Sequence, residues 1–266
     1  KSTKTFMLFF SLLLSLLGFT KEIPPKINKG SFYSFVAEST LKTEESIEIK
    51  EGISFNYKKD KDSMADSYSS IKVNTHQLRL RLKEDLRLGN ISFDNVKTYF
   101  TNQLVDKIIP HWYGTPWSFG GHTAIPKQGT IACGYFISTT LRDMGININR
   151  YKLAQQSPID EAKIISCGSE INKVVQQTPE KAFEEIDSLT KEGIYFIGFD
   201  EGHVGYLLKR EGELFLIHSN YLLPIAVCIE PIKESRLFKC FTKFYLAAIS
   251  HNDILLQRWL NNAEVL

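Results

Sequence analysis

The stretch that decides the fold is residues 193–221, GIYFIGFDEGHVGYLLKREGELFLIHSNY. Its short runs of β-branched and aromatic residues, separated by turn signals, read as strands. Glu211 and Gly212 make a natural two-residue turn. That turn places Arg210 opposite Glu213 and, farther out, His203 opposite Asn220. Successive side chains alternate across a strand, so His218 shares a face with His203, one diagonal step away. Downstream, IAVCIEPI and FTKFYLAAIS continue the pattern, and the back half of the chain reads as an antiparallel sheet.

Upstream of the sheet the periodicity changes to helical. PEKAFEEIDSLTKEG, ending at Gly193, reads as a helix. In IACGYFISTTLRDMGI, Phe136, Ile137, Thr140, Leu141 and Met144 form one apolar stripe, and Gly145 supplies the stop. Cys133 therefore falls in or near the first turn of a buried helix. A loop rich in glycine, proline and aromatics, HWYGTPWSFGGHTAIPKQGT, precedes it. Before that loop, Asp94 can cap a helix carrying Val96, Phe100, Leu104 and Ile108, which Pro110 ends. Helices first and meandering strands afterwards predict an α+β domain over 92–266.

Residues 21–91 are weakly patterned and read as an ancillary N-terminal extension. Within them THQLRLRLKEDLRLG fits either a helix through Leu78, Leu82 and Leu86 or a strand of period two, with Gly89 tilting the choice toward helix. The first twenty residues carry Lys1 and Lys4 and an apolar and serine run from Phe6 to Phe19. This is the layout of a signal peptide, and it predicts export to the periplasm, cell envelope or medium. An uncleaved segment would be the chain's one membrane attachment.

The chain has 266 residues, 43% of them hydrophobic and 23% charged, as in an ordinary globular protein. Its net charge of +2 belongs to Lys1 and Lys4, leaving a balanced remainder and no nucleic-acid footprint. GxSxG, HExxH, P-loop and GxGxxG signatures are absent. What remains is a cysteine at a helix start and two histidines on one hairpin. A helix N-terminus favours a thiolate. Cys133 is then the candidate nucleophile, His203 the proton shuttle and His218 the group that orients it, with Asn220 in reserve. Gly134 leaves room for substrate beside the cysteine, and His122 is a candidate for the cleft lining. His76, His111 and His251 read as surface or loop residues.

Other readings of these residues stay open. Each of the three is commonly a structural residue when it stands alone. A zinc site from Cys133, His203 and His218 is conceivable, although metal sites usually have closer ligand pairs. The remaining cysteines are Cys167, Cys228 and Cys240, and Cys228 could bridge to Cys240 if the segment containing Pro231 turns back.

At these residues the chain resembles the NlpC family of papain-like cysteine peptidases, which cut the stem peptides of cell-wall peptidoglycan. The family's Gly-x-Pro-Tyr-x-Trp-Gly-Gly loop corresponds to Gly114-Thr115-Pro116-Trp117-Ser118-Phe119-Gly120-Gly121. Its Asp-Cys-Ser-Gly-Phe corresponds to Ala132-Cys133-Gly134-Tyr135-Phe136, and its His-Val-Gly-Ile-Tyr to His203-Val204-Gly205-Tyr206-Leu207. Its later His-Ala corresponds to His218-Ser219. The resemblance spans roughly Ser92 to Ser250. It implies a papain-like fold with the nucleophile helix packed on an antiparallel sheet, no cofactor or metal, and hydrolysis of an amide in peptidoglycan peptides or a related small substrate. Trp117, Gly134 and Asn220 are then candidate substrate contacts. The departures are Trp117 for tyrosine, Ala132 for the acid before the cysteine, Gly134 for serine, and Lys191-Glu192-Gly193-Ile194 where the family has a Pro-Gly-Asp turn. A cell-envelope binding module with the same groove, or a papain-like acyltransferase or transglutaminase, would use the same residues.

Overall fold

The structure is a computed structural model that describes residues 61–200 and 202–266. The signal segment 1–20 and the extension up to residue 60 lie outside the described residues. Among the described residues, seven α-helices and six strands give an α+β architecture.

Helix α1, Lys61–Arg87, resolves the helix-or-strand choice in favour of helix. It buries Tyr68 and Leu82 in the same apolar core as the rest of the described residues. Helix α2, Phe93–Asn102, is capped two residues before the expected Asp94, which falls in its first turn. Its N-cap is Ser92, whose hydroxyl accepts from the Asn95 amide at 3.3 Å while Asn95 Oδ1 accepts from the Ser92 amide at 2.9 Å. Val96, Phe100, Leu104 and Ile108 are all fully buried. Their strict four-residue spacing would drift by about 40° per step around an α-helix. The helix answers by widening into a π turn at Gln103–Ile108 before a 3-10 turn, Ile109–Trp112.

Helix α3, Cys133–Asp143, carries the anticipated stripe, with Phe136, Ile137, Thr140 and Leu141 buried. Gly145 stands at φ +85°. Its amide donates to Arg142 O and the Ile146 amide to Leu141 O, which is a Schellman stop. Two helices that the apolar pattern did not announce follow: α4, Arg150–Ala154, and α5, Pro158–Ser166. Strand β1, Ile171–Val175, was also not anticipated, because Lys173 and a single buried Val174 give no alternation to read. Helix α6, Pro179–Leu189, is the anticipated one, and α7, Asp253–Asn261, closes the chain.

The other strands are β2 Gly193–Phe199, β3 His203–Arg210, β4 Glu213–Ser219, β5 Val227–Pro231 and β6 Lys243–Ala248. They form one sheet in the order β1-β6-β2-β3-β4-β5, antiparallel throughout. The β3–β4 turn has Glu211 and Gly212 at φ +56° and +78°, and Arg210 pairs with Glu213 as expected. The Glu192 carboxylate accepts from both turn amides. One sheet face, with Phe196, Val204, Tyr206 and Ile217, packs on the helical core, where Tyr206 Oη lies 2.7 Å from Thr140 Oγ1 of α3. The opposite face is also buried. It carries Phe199, Leu207, Leu216 and Phe244 under Phe238 and Phe241. Among the described residues no helix is long and apolar enough to cross a membrane.

Candidate active site

Three local decisions bring the site together. Ala132 is the N-cap of α3 and has no side-chain acceptor, so no cap competes for the first-turn amides. Those of Cys133 and Gly134 turn to the Cys133 sulfur, as does the Val204 amide, one residue after His203. The glycine-rich loop is stitched to its neighbours: Gly114 N donates to Val227 O, Trp117 N to Ile225 O, and Ile131 N to Pro116 O. Gly121 must be glycine, since a Cβ there would sit 2.6 Å from Ile131 N.

His203 and His218 lie on the sheet face opposite Tyr206, with His203 Nε2 and His218 Nδ1 2.9 Å apart. The diagonal read from the sequence is therefore a direct imidazole contact. Gly205 makes it possible, because a Cβ at that position would lie 3.1 Å from His218 Cβ. On its far side, His218 Nε2 is 3.2 Å from Glu230 Oε1 of β5. Glu230, a residue the sequence did not single out, extends the chain of contacts.

The electrostatics fix the protons. Burial opposes ionisation of Glu230, but hydrogen bonds from His218 and Ser235 hold its carboxyl below the ordinary range, so it is a carboxylate and can only accept. Burial keeps His218 neutral against the pull of Glu230, and burial together with His218 holds His203 far below an ordinary histidine. His218 Nε2–H must then donate to Glu230, leaving Nδ1 to accept from His203 Nε2–H. That leaves the lone pair on His203 Nδ1, a buried atom without a hydrogen-bond partner. The contact between His218 and Glu230 is a neutral N–H on a carboxylate rather than an ion pair.

The thiol departs from the expected helix-stabilised thiolate. Burial and the nearby Glu161 push Cys133 up to about 11, against the three amides that pull it down. Glu161 is itself 2% exposed, and burial raises its carboxyl far above the ordinary value. Its Oε2 has no partner. At rest the thiol is neutral, and so is the imidazole of His203, whose chain neighbour Val204 turns its amide to the sulfur.

The secondary candidates take different positions. Trp117 is half-buried, with its ring 5.9 Å from Tyr221, whose ring is 5.5 Å from His203. Trp117 Nε1–H is buried without a partner. The space at Gly134 is taken by the protein itself: a Cβ would meet Ala154 O at 2.9 Å and Glu161 Oε1 at 3.0 Å. Gly134 thus lets α4 and α5 approach the cysteine helix and leaves no gap for substrate. Asn220 accepts from Leu222 N and donates to Leu223 O, shaping the loop after β4, and the ring nitrogen that meets His203 belongs to His218. His122 Nδ1–H donates to Gly120 O within the glycine-rich loop, and its ring lies 5.8 Å from Tyr135. All four cysteines are free thiols. Among the described residues, the group able to hold a metal is His218, Cys228 and Glu230, not Cys133 with the two histidines.

No family model, curated protein or solved structure matches the chain.

Proposed function

We propose that the chain is an NlpC-type, papain-like cysteine hydrolase that is exported and cleaves amide bonds in peptidoglycan stem peptides. The observation that carries the chemistry is the 2.9 Å contact between His203 Nε2 and His218 Nδ1, on a strand whose Val204 amide, next to His203, turns to the Cys133 sulfur. The choice of peptidoglycan rests on the order of the loop, cysteine and histidine motifs and on the signal-like first twenty residues.

In this reading the Cys133 sulfur attacks the amide carbon while its proton passes to His203 Nδ1. The imidazolium is held through Nε2–H by His218 Nδ1, and His218 Nε2–H is held by Glu230. Backbone amides at the start of α3 receive the oxyanion. When the C–N bond breaks, the proton on His203 Nδ1 goes to the leaving amine. Water, deprotonated by the same nitrogen, then hydrolyses the thioester and frees the sulfur. No metal or organic cofactor takes part.

Purified peptidoglycan digested with the wild type and with Cys133→Ala, and read by mass spectrometry, tests this. Stem-peptide fragments from the wild type alone are expected. Identical digests overturn the reading, and a product joined to a supplied amine would make the chain an acyltransferase.

A further inference from the structure

The far end of the histidine pair is built like a ligand set. Cys228 and Glu230 stand two apart on β5, so both point to one face. His218 is the register partner of Cys228, which brings its imidazole to that same face. One atom from each, a thiol sulfur, an imidazole nitrogen and a carboxylate oxygen, lies within 4.8 Å of the other two. In tetrahedral zinc coordination, neighbouring N and O ligands are about 3.3 Å apart. The His218 Nε2 to Glu230 Oε1 separation is 3.2 Å. Ser235 holds the carboxylate from behind, and Asn220 Nδ2 lies 3.9 Å from Cys228 Sγ, so the ligands have outer partners. β5 is the last strand of the sheet, and Cys228 and Glu230 are both partly exposed, which leaves a path from solvent.

We propose that His218, Cys228 and Glu230 bind a thiophilic divalent cation of the zinc type, and that its binding reverses the proton order of the histidine pair. Cys228 gives up its thiol proton to solvent, so one proton is released per ion. A metal on His218 Nε2 needs that nitrogen's lone pair, so the His218 proton moves to Nδ1. Nδ1–H then donates to His203 Nε2, and the His203 proton moves to Nδ1. Each imidazole keeps one proton, but His203 Nδ1 becomes a donor. Resting on the hydrolase reading above, the cation is an off-switch: His203 can no longer accept the Cys133 proton.

The test uses cobalt(II) as the probe on the full chain with its thiols reduced. A thiolate-to-cobalt absorption band saturating at one ion per chain is expected in the wild type and in Cys133→Ala. It should vanish in Cys228→Ser, with binding at least about tenfold weaker. Circular dichroism checks the fold of that variant, and Glu230→Gln, expected to keep the band but bind more weakly, serves if it does not fold. In the zinc-loaded protein, nitrogen NMR of labelled histidines should report a protonated His203 Nδ1 that is bare without metal. The absence of the band in the wild type, its survival in Cys228→Ser, its loss in Cys133→Ala, or an unchanged His203 tautomer overturns the proposal. These readouts need no substrate. A chain that binds cobalt here but cleaves no peptidoglycan would end the hydrolase reading and leave the site standing.

Discussion

At Cys133 two influences on one sulfur oppose each other: first-turn amides favour the anion, while burial and Glu161 favour the thiol, and the second pair prevails. Iodoacetamide should therefore alkylate Cys133 more slowly than free cysteine at pH 7, with a rate that climbs toward pH 11. Glu161→Gln removes a neighbour that turns negative as the pH rises and should move that profile to lower pH, whereas a wild-type plateau below pH 8 would contradict the account. The cysteine and both histidines were readable from the sequence because a helix start and a two-residue turn fix their places locally. Glu161 was not readable. It is one of two acids in the first turn of α5, and its burial beside Gly134 appears only in the packed structure. Glu230 became visible only once the β4–β5 register set Cys228 opposite His218.

At the scale of elements, the β3–β4 hairpin carries the His203–His218 contact and Gly205 is its weak point. Gly205→Ala puts a methyl 3.1 Å from His218 Cβ and 3.1 Å from Ile217 O. Such overpacking typically costs about 1–3 kcal/mol. Urea unfolding should register a loss of that size, while hydrolysis should fall much further because the imidazole is displaced. Activity that survives intact would mean the His203–His218 contact is not used. The turn chemistry of this hairpin and the glycine stop of α3 were legible, since each depends on residues a few positions apart. The π turn after α2 was not, because it resolves a conflict between residue spacing and helix geometry that appears only when all four apolar residues are buried together. The unannounced α4 and α5 are short, and α4 is capped by Asn149 with few apolar residues of its own.

Over the whole molecule, the helix read as part of an extension is tied into the core. Tyr68 Oη donates to Asp143 Oδ2 and accepts from Trp112 Nε1–H, both at 2.8 Å. Tyr68→Phe leaves Trp112 Nε1–H unpaired and takes from Asp143 one hydrogen bond beyond those of Arg142, and should cost about 1–3 kcal/mol in urea unfolding. A change near zero would mean α1 packs without this link. Sequence pattern could not reveal the tie because its partners lie 44 and 75 residues away. Stability should also follow pH through the buried site. His203 and His218 stay neutral when folded, so below about pH 6.5 the unfolded chain binds protons the folded chain refuses and stability falls. Glu161 acts in the opposite sense. Its folded carboxyl keeps a proton above the ordinary 4.5, so its contribution is complete below that value and is lost as pH rises. In urea midpoints measured from pH 4.5 to 8, His203→Gln should flatten the acid side and Glu161→Gln should gain most at the alkaline end. An unchanged curve in both variants would show that neither group is held uncharged by burial. The central claim is that Cys133 and His203 act as one unit, and unit behaviour is non-additive. The most direct measurement is kcat/KM for amide cleavage in a peptidoglycan stem peptide by the wild type, Cys133→Ala, His203→Ala and the double variant. The account predicts that each single variant falls as far as the double. Cleavage by Cys133→Ala at the wild-type rate would contradict it.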